Sequence, residues 1–125
     1  MAASTTVIWK TEPDDQDYPA AGDYLGLLAD AATVGNLVAG LKSAPVVYKK
    51  AKDILRAARL QLLPVDNPHV KSDLRKIKKD KALSPILLIR GDLGSGLPLQ
   101  VADGYHRVCA SYHTDENTDI PCRMA

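Results

Sequence analysis

The sequence predicts an α/β protein of the α+β kind: a small mixed sheet with flanking helices, and an N-terminal helical extension packed onto it. Three observations carry that prediction. Pro85-Ile86-Leu87-Leu88-Ile89-Arg90 is an apolar run of the kind a buried strand shows, and a second run, Leu97-Pro98-Leu99-Gln100-Val101-Ala102, follows the glycine-rich loop at residues 91–96. Asp103-Gly104 then turns the chain into a helical pattern, and Ile120-Pro121-Cys122-Arg123 closes the order as a further strand. Upstream, Asn67 is a good helix N-cap and Pro68 a good first helical residue, so a helix start is well specified between two apolar stretches. The 125 residues suit one domain, with residues 1–61 as the mainly helical extension and 62–125 as the sheet-bearing core.

In chain order, residues 19–29 read as a first helix, with Tyr24, Leu25, Leu27 and Leu28 on a broad apolar face. Thr33 is placed to cap a second helix running through Leu37, Val38 and Leu41. Gly26, Gly35 and Gly40 weaken both helices by roughly 1 kcal/mol each relative to alanine, so packing on the sheet must hold them. Ser43-Ala44-Pro45 reads as a restart, opening a third helix with Val46, Val47, Lys50, Ile54, Leu55 and Ala58 at helical spacing and an end near Arg59 or Leu60. Lys49, Lys50, Lys52, Arg56 and Arg59 give it a basic exposed side. After Asn67, Val70, Leu74 and Ile77 fall on one helical stripe, while His69, Ser72 and Lys76 fall together on nearly the opposite side.

Composition limits the function classes. Phe is absent and Trp9 is the only tryptophan, so the core is built from Leu, Ile, Val and Ala with a few tyrosines. No run approaches the ~20 apolar residues that cross a bilayer, and Met1-Ala2-Ala3-Ser4 lacks the basic start and apolar body of a signal peptide. A cytoplasmic protein with no membrane partner is expected. Cys109 falls on an apolar helix face and Cys122 in a strand, which reads as two reduced, buried thiols rather than a disulfide or metal pair. The net charge of +1 hides a polarity: Glu12, Asp14, Asp15, Asp17 and Asp23 make the first segment acidic, whereas Lys71, Arg75, Lys76, Lys78, Lys79 and Lys81 make the helix after Asn67 basic. The two segments are expected to attract one another.

The chemistry gathers at Ala102-Asp103-Gly104-Tyr105-His106-Arg107. A backbone that turns there into a helix points free N–H groups, an imidazole and a guanidinium at one spot, which is equipment for holding an anion. The order strand, hairpin, strand, Gly-Tyr-His-Arg, helix, strand resembles the ParB/sulfiredoxin superfamily, whose members carry a Gly-x-x-Arg or Gly-x-His-Arg turn at this place. Gly104, His106 and Arg107 match it, and the likeness runs over about residues 62–124, including Leu62-Leu63-Pro64-Val65-Asp66-Asn67-Pro68.

The resemblance implies that His69, Ser72 and Lys76 join His106 and Arg107 around nucleotide phosphates. ATP or CTP, with Mg²⁺ bridging, are the implied ligands, and another phosphorylated small molecule fits the same chemistry. A third branch of the superfamily phosphorylates free serine, which needs a carboxylate to accept the hydroxyl proton. Asp103 is the candidate catalytic base, with Asp66 and Asp73 behind it, although an aspartate before a glycine is also an ordinary turn residue. Sulfiredoxins carry a catalytic cysteine where this chain has Tyr105, and a phenol does not replace a low-pKa thiol, which argues against sulfinic acid repair. Tyr105 is left to stack on a ligand or to fill the core. ParB proteins read DNA through a following helix-turn-helix domain that does not follow here, so nucleic acid is expected only as a nonspecific partner of the basic helix. The rival reading from another class is a noncatalytic interaction module that uses basic residues 67–81 on an acidic partner or nucleic acid. His113-Thr114-Asp115-Glu116-Asn117-Thr118-Asp119 lacks ligand spacing and reads as a solvated loop.

Overall fold

The computed structural model describes residues 6–125, and the reading of residues 1–4 against a signal peptide lies outside the described residues. Nine elements follow one another: α1 (Asp17–Leu25), α2 (Ala31–Ser43), β1 (Val47–Lys50), α3 (Ala51–Ala58), α4 (Pro68–Lys78), β2 (Ile86–Ile89), β3 (Gln100–Asp103), α5 (Tyr105–Thr114) and β4 (Asp119–Met124). The strands form one sheet in the order β1-β4-β2-β3. β4 pairs antiparallel with β1 and parallel with β2, and β2 and β3 form an antiparallel hairpin, so the sheet is mixed as expected.

Side chains alternate across the sheet and divide the interior in two. Ile86 and Leu88 of β2 and Val101 of β3 face α3, α4 and α5, in the larger core with Ile54, Val70, Ile77, Val108 and Ile120. Leu87 and Ala102 face the other way, onto Ala21 and Leu25 of α1 and Leu41 of α2. The sheet is therefore covered on both faces, and Ile86, Leu87 and Leu88 are all essentially removed from water. Each such burial stabilises the fold by about 1.5–3 kcal/mol, which explains the unbroken apolar run of β2. Cys109 and Cys122 are both fully buried and unpaired.

The two helix starts that frame the site follow local rules. The Asn67 side chain accepts from the His69 and Val70 amides at 3.0 and 3.2 Å, and Pro68 occupies the first turn of α4. α5 begins after Gly104 at φ +111°. A Cβ there would sit 2.4 Å from Ile86 Cγ2, so the turn needs glycine for conformation and for space.

Five elements differ from the sequence expectations. Residues 47–50 are strand β1, not the start of a helix, because the Val46-Val47-Tyr48 run suits a pleated edge and finds its partner in β4. Ser43 consequently ends α2, its hydroxyl bonding back to the Ala39 and Gly40 carbonyls, and α3 starts only at Ala51, leaving Lys49 and Lys50 on the strand. α2 is capped by Asp30, which accepts from the Thr33 amide at 2.8 Å, and not by Thr33. α1 spans Asp17–Leu25 instead of 19–29; only Leu25 of the expected face is buried, while Leu27 and Leu28 are 82% and 58% exposed in the turn that follows. β3 begins at Gln100, since Leu97 is drawn into a two-bond bridge with Asp92 that closes the hairpin loop.

Candidate functional site

α4 and α5 enter the same region with their N-terminal turns, and a cavity of about 310 Å³ opens between them. His69, Ser72, Asp73 and Lys76 of α4 line one side, and Asp103, Gly104, His106 and Arg107 line another. The phosphate-binding candidates His69, Ser72, Lys76, Gly104, His106 and Arg107 and the candidate base Asp103 thus line one cavity. The His69 and His106 rings lie 4.7 Å apart between centroids, tilted by 40°. No side chain caps α5, so the amides of its first turn remain for a ligand or water.

The third wall is the N-terminal segment, with Lys10, Asp14, Gln16 and Asp17, and residues 82–84 beside it. It is fastened by Leu83, whose amide donates to the Ile8 carbonyl and whose carbonyl accepts from the Lys10 amide, both at 2.8 Å. Asp17 is buried; its Oδ2 accepts from the Ser84 hydroxyl and from the Asp14 amide, the latter at 3.0 Å. Lys10, Asp14, Asp17 and Ser84 were not picked out by the sequence reading. The expected attraction between the acidic run and the basic helix makes no ion pair among the described residues; Asp17 instead faces Arg107 at 3.9 Å and Glu12 faces Arg123 at 3.8 Å.

Arg107 is the electrostatic centre. Its Nη2 donates to Asp103 Oδ2 at 2.8 Å, its Nη1 lies 3.9 Å from Asp17 Oδ1, and its buried Nε has no partner among the described residues. Asp103 therefore does more than shape a turn: it holds the guanidinium inside the cavity. Burial pushes the Asp103 carboxyl above the ordinary carboxylate range, opposed by Arg107 and reinforced by Asp17. Burial likewise raises Asp73, whose Oδ1 lies 3.9 Å from Lys76 Nζ. Burial, then the neighbouring His69, holds His106 below the usual imidazole range. Four aspartates stand against three cations here, so the cavity lining carries no excess of positive charge.

Other candidates lie elsewhere. Asp66 is exposed and does not line the cavity. Tyr105 packs against the larger core with its hydroxyl donating to the Gln61 carbonyl at 2.5 Å, and its ring stacks on His106 at 5.7 Å. Cys109 is buried in the core, where burial raises its thiol pKa. His113 bonds the Leu63 carbonyl through Nε2 at 2.7 Å, and residues 115–117 are exposed, as expected for that loop. Lys71, Arg75 and Lys78 of α4, and Lys79 just after it, are exposed with no carboxylate in ion-pair range among the described residues. No helix among the described residues is long and apolar enough to cross a membrane, and no cluster of three His, Cys, Asp or Glu is placed to hold a metal ion. Compared with protein-family models, curated proteins and solved structures, the chain matches none.

Proposed function

We propose that this chain is a ParB/sulfiredoxin-like protein that binds a nucleotide or another phosphorylated small molecule at the Gly104-Tyr105-His106-Arg107 turn. The observation that carries the reading is the convergence of His69, Ser72 and Lys76 with Gly104, His106 and Arg107 on one cavity from elements about 30 residues apart in the chain. Phosphate oxygens would meet the uncapped α5 amides, the Lys76 ammonium and the Ser72 hydroxyl, while Arg107 is already held in place by Asp103. The excess of aspartates favours a ligand that brings its own cation. Mg²⁺ bound to the phosphates and water, with a single carboxylate such as Asp73, fits that chemistry and needs no protein cage.

The same reading extends to phosphoryl transfer. Asp103 is the base for the acceptor hydroxyl, favoured by a carboxyl that burial has made more proton-avid. Arg107 and Lys76 offset charge on the transferring group.

A thermal-shift series with ATP, ADP, CTP and GTP, with and without Mg²⁺, tests the reading. A ligand at a hundredfold excess over its Kd adds about 2.7 kcal/mol of stability. Lys76→Ala and Arg107→Ala should abolish the shift; Lys76 is half exposed, so its loss leaves the fold intact where Arg107→Ala uncovers buried carboxylates. The unpaired cations of α4 favour a second reading, a noncatalytic module gripping an acidic partner or nucleic acid. That reading gains if no nucleotide shifts the melt while Lys78→Glu with Lys79→Glu abolishes salt-dependent binding to a nonspecific duplex.

A further inference from the structure

The β2–β3 hairpin has a second cavity at its other end. It is larger, about 510 Å³, and shares no lining residue with the first. Its floor is aliphatic: Ile54 and Ala57 of α3, Leu88 of β2, Leu99, and Met124 of β4. The hairpin loop forms the outer wall, where Leu93 and Leu97 turn large apolar side chains to solvent.

This wall is fixed rather than loosely laid over the sheet. Asp92 and Leu97 exchange two backbone hydrogen bonds at 3.0 Å, and the Leu99 amide donates to the Ala57 carbonyl at 3.2 Å. The Arg59 guanidinium reaches across to the Gly96 carbonyl at 3.3 Å. Gly91 permits the closure, since a Cβ there would lie 2.4 Å from the Leu97 oxygen. A preformed apolar cavity of this size is the usual form of a small-molecule site.

The rim sets the ligand's charge. Lys49, Arg56, Arg59 and Arg90 face Asp53 and Asp92. Asp53 is in ion-pair range of Arg56 at 3.4 Å, and Asp92 is occupied within its own turn by the Ser95 hydroxyl at 2.8 Å and the Gly94 amide at 3.2 Å. Lys49 and Arg90 are exposed and have no carboxylate in ion-pair range among the described residues. The rim therefore carries more positive than negative charge and suits an anionic headgroup, with Lys49 and Arg90 free to meet it. The lining has no aromatic side chain, which favours an aliphatic body over a flat ring.

We propose that this cavity binds a medium-chain aliphatic carboxylate, its chain on the floor made by Ile54, Leu88, Leu99 and Met124 and its carboxylate at Lys49 and Arg90. The test is a titration of the whole protein, labelled at Ile, Leu and Met methyls, with decanoate below its micelle concentration. Saturable shifts are expected at Ile54, Leu88, Leu99 and Met124, with Leu25, Leu41 and Ile77 unmoved. Lys49→Gln with Arg90→Gln changes only exposed side chains and should weaken binding about tenfold, as should replacing decanoate by decanol. Three results would each overturn the proposal: no saturable shift, equal affinity for decanol, or equal affinity in the double variant. Inorganic phosphate should leave these methyls unmoved; a saturable shift from it would overturn the proposal as well.

Discussion

Replacing Gly104 with alanine puts a methyl 2.4 Å from Ile86 Cγ2, 2.8 Å from Ile86 Cβ and 2.9 Å from Arg107 Nη2, on a residue at φ +111°. Left-handed backbone costs an L-residue roughly 1–2 kcal/mol. Forcing a methyl against a fully buried isoleucine adds about 1–3 kcal/mol, because the neighbouring core has no room to give. The expected loss is therefore about 2–5 kcal/mol out of a total stability on the order of 5–15 kcal/mol, or a fall of roughly 10–20 °C in Tm. Urea unfolding followed by Trp9 fluorescence and by circular dichroism measures it, as a lower midpoint at unchanged slope. Gly35→Ala is the control: it lies inside α2 with nothing within 4 Å of its added Cβ, and should stabilise by about 0.5–1 kcal/mol. A Gly104→Ala chain within 1 kcal/mol of the parent would refute the argument that this turn demands glycine.

Two pH effects follow from burial. Cys122 is lifted from about 9 to about 11, so the native chain keeps a proton that the unfolded chain releases. Stability should fall as pH rises across that window, by up to roughly 3 kcal/mol from Cys122, and Cys122→Ala should make that slope shallower. With Cys109 also raised, neither thiol should react with a disulfide reagent at pH 8 until urea unfolds the chain; rapid reaction of the native protein would contradict the burial. His106 is shifted the other way, so below pH ~6.5 the unfolded chain takes up the proton first and stability declines as pH falls. His106→Gln should flatten the dependence of the urea midpoint between pH 7.5 and 5, and an unchanged slope would count against it.

The parts of the fold that were legible in the sequence are those written in a few adjacent residues. Asn67-Pro68 announces α4, Gly104 announces the turn into α5, and the run at residues 86–89 is apolar because both faces of β2 are covered. Helical spacing puts His69, Ser72 and Lys76 on one face of α4, but only the resemblance to the ParB/sulfiredoxin superfamily implied that this face meets the Gly104 turn. What escaped depends on distant partners. Val47–Lys50 is a strand because β4, far along the chain, lies beside it, and Pro45 before it reads equally as a helix start. Asp17 and Ser84 belong to the site through a contact 67 residues long, which leaves no periodic trace in either segment. Tyr24 shows the limit of an apolar stripe: it is partly exposed, with its hydroxyl bonding Gln100 at 2.5 Å, because α1 ends one residue later.

The N-terminal wall of the first cavity has a consequence for the order of folding. The hairpin and α5 can form from neighbours, but the Ile8, Lys10 and Asp17 contacts close only when the two ends of the chain have come together, and loops of that length are slow to close. The cavity is then complete only in chains that have made these long-range contacts. Binding there would report the fraction of chains that are fully native, where helix content alone would also count those with the N-terminal wall still undone.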